Sequence, residues 1–180
     1  KSINYQSGTL TNANGYTGNL DVLGAVSVAT GTLGNGVLLV GAGDTVTAAN
    51  NGLNNAIALS GGTVDFNGKT ATSSIAYTNG TLANATGYTG DVTFSGTKSF
   101  ASLALGSARV IASTGTTLDF AAGFNNAVRN TGGAVTNGSN YTGTMAYAGG
   151  QSINVTADQV AKLAFESGTT AKGSGTLTGL

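Results

Sequence analysis

Apolar residues of one class return about every 18 residues along the chain, and that regularity leaves few folds open. One column runs Ile3, Leu20, Leu38, Ile57, Ile75, Val92, Val110, Val128, Met145 and Leu163, in steps of 17 to 19 residues. A second runs Leu10, Val28, Val46, Val64, Leu82, Phe100, Leu118, Val135 and Ile153, in steps of 18 apart from a single 17. Whole phrases return as well. Ser2-Ile3-Asn4-Tyr5 comes back as Ser74-Ile75-Ala76-Tyr77, and Gly15-Tyr16-Thr17-Gly18 as Gly87-Tyr88-Thr89-Gly90, both at an offset of 72, or four units of 18. The second phrase has a third echo 53 residues further on, Ser139-Asn140-Tyr141-Thr142-Gly143. Gly52-Leu53-Asn54-Asn55-Ala56-Ile57 returns as Gly123-Phe124-Asn125-Asn126-Ala127-Val128, an offset of 71.

Within each unit the columns alternate with period two, as in Ile57-Ala58-Leu59 and Met145-Ala146-Tyr147. That spacing places residues i and i+2 on one face of a strand. Asn-Gly, Gly-Gly and Ser-Gly pairs between these runs supply the tight corners. Short strands and glycine-rich corners at a fixed period describe one coil per repeat, each resting on the next. The expected fold is therefore all-β: a single β-solenoid over residues 1–180, of about ten 18-residue rungs with a 72-residue super-repeat. An antiparallel sandwich gives no reason for one residue class to recur at constant spacing. The seven-residue separation of the columns differs from a hexapeptide pattern and favours a right-handed coil. Residues 157–166 admit two readings. Thr156-Ala157-Asp158-Gln159 has the form of a helix capping box, with Val160, Leu163 and Ala164 at helical spacing behind it. The rung period instead puts Leu163 and Phe165 in a strand, which is the expectation.

Composition narrows the function. With 40% hydrophobic residues the chain can bury a core, unlike a disordered segment. Seven basic and seven acidic residues balance and are scattered, so the charged footprint of a nucleic-acid binder is missing. No apolar run approaches the ~20 residues that span a bilayer as a helix. No His and no Cys are present, so triads built on an imidazole or a thiol are excluded, and no cofactor or metal is expected. Val37-Leu38-Leu39-Val40-Gly41-Ala42-Gly43 begins like a dinucleotide fingerprint, but Val46 stands where the third glycine belongs and no helical pattern follows. Gly41-Ala42-Gly43-Asp44 approaches a calcium nonapeptide only once, which makes Asp44 a corner residue. Asp65 and Asp119 hold equivalent rung positions but lie three rungs apart, roughly 14 Å by strand spacing, too far for a hydrolytic pair. Asp21 and Asp91 are further apart still. Catalysis is not expected.

The residue before each member of the second column is Thr9, Ser27, Thr45, Thr63, Thr81, Ser99, Thr117, Ala134 or Ser152, and alternation turns these outward. Thr9, Thr45, Thr63, Thr81 and Thr117 form the candidate surface-binding column, the arrangement an ice-binding face would use. The plainer reading is that threonine suits strand surfaces and pairs well with threonine across strands. Five Asn-x-Ser/Thr triplets, at Asn79, Asn84, Asn137, Asn140 and Asn154, are what chance supplies in so Asn- and Thr-rich a chain.

The stacked rungs, the Gly-Thr-Leu-Thr-Asn phrase at Gly8–Asn12 and the Gly-Tyr-Thr-Gly-Asp-Val phrase at Gly87–Val92, with the lack of Cys, resemble passenger regions of secreted bacterial surface proteins. Filamentous-haemagglutinin-type and autotransporter adhesins are the groups concerned. The resemblance covers the whole chain as texture, matches no family-specific catalytic or secretion motif, and carries over no functional residue. It implies an extracellular or cell-surface stalk, adhesin or fibre, able to meet a host or matrix surface. An ice-binding solenoid and a polysaccharide-active β-helix are the alternatives. Since the pattern is entered in mid-rung at Ser2-Ile3 and left on the Gly-Thr-Leu phrase at Gly175-Thr176-Leu177, the rungs are expected to continue in a longer array or to stack end to end with copies of themselves.

Overall fold

The computed structural model describes residues 1–7, 15–29, 33–49, 52–99, 105–120, 124–149, 152–154, 163–168 and 170–172. It is a β-solenoid with about seven turns of its coil described. The chain divides into two compact units, Lys1–Val92 with Leu103–Ala108, and Thr93–Ser102 with Arg109–Leu180.

In the first unit the first-column strands are β1 (Ser2–Tyr5), β2 (Asn19–Val22), β4 (Val37–Val40), β6 (Ile57–Asp65) and β7 (Ile75–Ala83). They pair in parallel with Ile3 opposite Leu20, Leu20 opposite Leu38, Leu38 opposite Ile57, and Ile57 opposite Ile75. In the second unit β10 (Arg109–Ser113), β12 (Val128–Thr131), β14 (Met145–Tyr147) and β16 (Leu163–Phe165) place Val110, Val128, Met145 and Leu163 in one line. The first column is therefore reproduced residue for residue within each unit. Burial follows it: Leu20, Leu38, Ile75, Val110 and Met145 are sealed from solvent. A second inward line lies two residues on, through Tyr5, Val22, Val40, Leu59 and Tyr77 in one unit and Ala112, Asn130 and Tyr147 in the other. The β16 pairing places Leu163–Phe165 in a strand, as the rung period requires. Residues 155–162, with Thr156–Gln159, lie outside the described residues.

The second column needs a correction. Strands β3 (Ala25–Val28) and β5 (Thr45–Ala48) pair with Val26, not Val28, opposite Val46. Likewise β9 (Thr97–Ser99) sets Lys98 opposite Leu118 of β11 (Thr117–Asp119), where the sequence put Phe100. The cause is corner length. Only Leu23 and Gly24 separate β2 from β3, whereas Gly41-Ala42-Gly43-Asp44 separate β4 from β5. β8 (Asp91–Phe94) is likewise joined to β9 by Ser95 and Gly96 alone. A two-residue slip keeps every side chain on its original face, so alternation could not reveal it. From Val46 onward the column holds, Val46 to Val64 to Leu82, and again from Leu118 to Val135 of β13 (Ala134–Thr136). The last pair, β15 (Ser152–Asn154) and β17 (Thr170–Lys172), brings Ile153 opposite Ala171.

Candidate functional site

The threonine column is shorter than its sequence suggested. Thr45, Thr63 and Thr81 lie in register on three successive strands of the first unit. Ala25, not Ser27, precedes them, because Ser27 pairs with Thr47. Thr45 and Thr63 are half-buried and Thr81 is exposed. The neighbouring outward row passes from Thr47 to Asp65 to Ala83, so hydroxyls on the two rows do not stay matched. In the second unit Thr117 lies between Thr97 and Ala134, while Ser99 faces Asp119. Thr9 lies outside the described residues.

The carboxylates that could have done chemistry are bonded into corners. Asp44 accepts from the backbone N–H of Gly24 at 2.8 Å, one rung back, and from that of Gly41 at 3.2 Å. It is a corner residue, as the sequence indicated. Asp65 Oδ1 accepts from the Asn67 N–H at 2.7 Å and from the Asn84 side-chain amide at 2.9 Å. Asp119 Oδ1 accepts from the Asn137 amide at 2.6 Å and the Thr136 hydroxyl at 3.0 Å. Asp65 and Asp119 fall in different units, each with its own asparagine from the next rung. Asp21 stands in register between Asn4 and Leu39 on an outward row. Asp91 lends its carbonyl oxygen to the Tyr88 hydroxyl at 3.0 Å.

Asn84 and Asn137 adopt left-handed backbone conformations, with φ of 49° and 52°. Asparagine tolerates that region better than most residues. Each opens a 3-10 turn, Ala85–Gly87 or Gly138–Asn140, that delivers the tyrosine of the repeated phrase into the coil. The Tyr88 hydroxyl lies 2.9 Å from the Ser73 carbonyl in the preceding rung and 3.0 Å from that of Asp91 in its own. Tyr141 does the same with Asn126 at 2.6 Å and Thr144 at 2.7 Å. Tyr16 repeats the pattern with Lys1 at 3.3 Å and Asn19 at 2.7 Å. The acceptors move with the tyrosine at offsets of 72 and then 53, so the three phrases are one structural device used three times. Burial pushes the Tyr88 hydroxyl well above its ordinary pKa, with the Asp91 charge adding to the effect. Burial likewise raises Tyr141, against a smaller opposing pull from a backbone bond to Val128. Both therefore stay protonated donors at any physiological pH.

The glycine two residues after each tyrosine is dictated by contact. A Cβ on Gly143 would stand 2.5 Å from the Asn125 carbonyl oxygen and 2.6 Å from Tyr141 Oη. At Gly90 it would collide with the Ser73 carbonyl. Aromatic stacking completes the corners. Phe66 lies 4.6 Å from Tyr88 and Phe120 lies 4.2 Å from Tyr141, centroid to centroid. Such pairs are worth about 0.5–1.5 kcal/mol beyond the area they bury. The repeated phrase was visible in the sequence. Its partners were not, because Asp65, Phe66 and Ser73 lie 15 to 23 residues upstream of Tyr88 with no pattern linking them.

Sequence reading also missed an ion pair. Arg129 donates from Nε and Nη2 to the two carboxylate oxygens of Glu166, at 2.7 and 2.8 Å. Ala146 stands in register between Arg129 and Ala164, so the guanidinium reaches across a small side chain. The hydrogen bonds and charge of Arg129 hold the Glu166 carboxyl below its usual range. Among the described residues no group of three or more His, Cys, Asp or Glu comes together to hold a metal, and no helix is long and apolar enough to cross a membrane. Comparison with protein-family models, curated proteins and solved structures finds no match to this chain.

Proposed function

We propose that the chain is a non-enzymatic structural or adhesive solenoid, displayed outside the cell as a stalk or fibre segment. Filamentous-haemagglutinin-type and autotransporter passenger regions are the model for this role. One observation carries the reading. Asp44, Asp65 and Asp119, with the buried hydroxyls of Tyr88 and Tyr141, are bonded to the coil's own backbone and amides. Groups used in this way brace a scaffold, and in-register rungs are surfaces on which further rungs, of the same chain or of another copy, add by the same ladder.

The test has two arms. Particles coated with the protein should adhere to matrix-coated or host-cell surfaces, or the purified protein should form rods or fibres in the electron microscope. Neither behaviour appearing would refute the structural-adhesive role. In the other arm the protein is incubated with a panel of polysaccharides and is expected to release no product. Release that disappears in Asp65→Asn or Asp119→Asn would establish the enzymatic alternative. An ice-binding face draws support from the registered Thr45–Thr63–Thr81 column, though this column is three threonines long where the sequence suggested more.

A further inference from the structure

The backbone ladder is much the same at every rung, whereas the side-chain ties between rungs are not. We infer that the two Asp-Phe corners with their Asn-x-x-x-Tyr-x-Gly partners are clasps, the places where neighbouring rungs are locked together and from which the coil opens last. The first joins Asp65 and Phe66 to Asn84 and Tyr88, and the second joins Asp119 and Phe120 to Asn137 and Tyr141. Each compact unit contains one.

Three kinds of bond cross the same rung boundary in each clasp. The asparagine amide reaches back to the aspartate, at 2.9 Å in one and 2.6 Å in the other. The tyrosine ring stacks on the phenylalanine of the preceding rung. The tyrosine hydroxyl, held as a donor by its burial, bridges a carbonyl of the preceding rung and one of its own. In the second clasp Asn140 adds a bond to the Phe120 carbonyl at 3.1 Å and Phe124 adds a third ring, 5.9 Å from Tyr141. Tyr77 makes the contrast. It is also buried and also donates to a carbonyl, that of Gly80 at 3.0 Å, but that acceptor belongs to its own rung. Local opening free energies in a protein are graded by how many interactions an opening must break. In a stacked coil the relevant ones are those that join neighbours. Separating the rungs at a clasp breaks the ladder and these ties together, whereas the Tyr77 bond survives intact.

Native-state hydrogen exchange on the full chain tests this, with Tyr88→Phe, Tyr141→Phe and Tyr77→Phe compared. Each removes one oxygen and keeps the ring, so all three should fold. In the parent, amides of residues 71–75, 88–91, 125–128 and 141–145 should be among the slowest to exchange. Tyr88→Phe should speed exchange at 71–75 and 88–91 on the order of tenfold while leaving 37–40 unchanged, the ratio expected for losing one net hydrogen bond. Tyr141→Phe should act in the same way on 125–128 and 141–145. Tyr77→Phe should change neither set. Acceleration spread evenly over the coil, an equal effect of Tyr77→Phe on the clasp amides, or clasp amides that exchange as fast as the rest in the parent would each overturn the inference.

Discussion

A charge placed at Val64 should unfold the coil, whereas the same charge one residue earlier should scarcely be felt. Val64 is fully buried, opposite Val46 and Leu82. Thr63 faces outward, opposite Thr45 and Thr81. Val64→Asp forfeits the burial of a valine, about 1.5–3 kcal/mol, and strands a carboxylate among apolar neighbours at an effective cost of several kcal/mol. The sum approaches the whole stability of an ordinary domain, about 5–15 kcal/mol. Thr63→Asp stays in water, within about 0.5 kcal/mol of neutral, plus a mild, salt-screened repulsion from Asp65 on the same face. Circular dichroism melts at neutral pH should show no cooperative transition for Val64→Asp and a shift of only a few degrees for Thr63→Asp. Acid gives a second check. Desolvation raises the folded-state pKa of the introduced carboxyl above its ordinary value of about 3.9, so the deficit is full above the raised pKa and is relieved as pH falls toward the ordinary one. The difference from the parent should therefore narrow on acidification. Equal effects of the two substitutions, or a larger one at Thr63, would refute the register.

Gly143→Ala should cost about 1–3 kcal/mol by overpacking, because its Cβ would press on the Asn125 carbonyl and the Tyr141 hydroxyl; Gly15→Ala, with nothing within 4 Å, should be neutral in the same melts. The Arg129–Glu166 pair keeps about a third of each side chain exposed, at 34% and 39%, so Arg129→Ala should lower the melting temperature only slightly. Since the Glu166 pKa is lowered in the fold, that small contribution is present above the ordinary carboxyl range and is lost as pH falls through the folded value; a pH series of melts on parent and variant would show it. Thermal hysteresis or ice shaping should be absent from the purified protein, and clear hysteresis abolished by bulky substitutions at Thr63 and Thr81 would establish the ice-binding reading. Axial association measured by light scattering should depend little on salt, because only 8% of residues are charged.

The 18-residue period and the period-two alternation determined the fold class, the first apolar column and the outward direction of Thr45, Thr63 and Thr81. They could do so because stacking rungs in register requires the same residue class at the same place in every rung, and that requirement is written along the chain. Only the tertiary structure decided which rungs lose two corner residues, since Val26 and Val28 satisfy the inward pattern equally and a slip of two leaves every face unchanged. It also decided what the repeated Tyr-Thr-Gly phrase is for. A hydroxyl's acceptors are backbone carbonyls, which every residue carries, so the bonds from Tyr88 to Ser73 and from Tyr141 to Asn126 leave no mark on residue identity. The roles of Asp65 and Asp119 were hidden for a related reason. Each is satisfied by an asparagine 18 or 19 residues away, a distance along the chain that becomes hydrogen-bond contact only once one coil lies on the next.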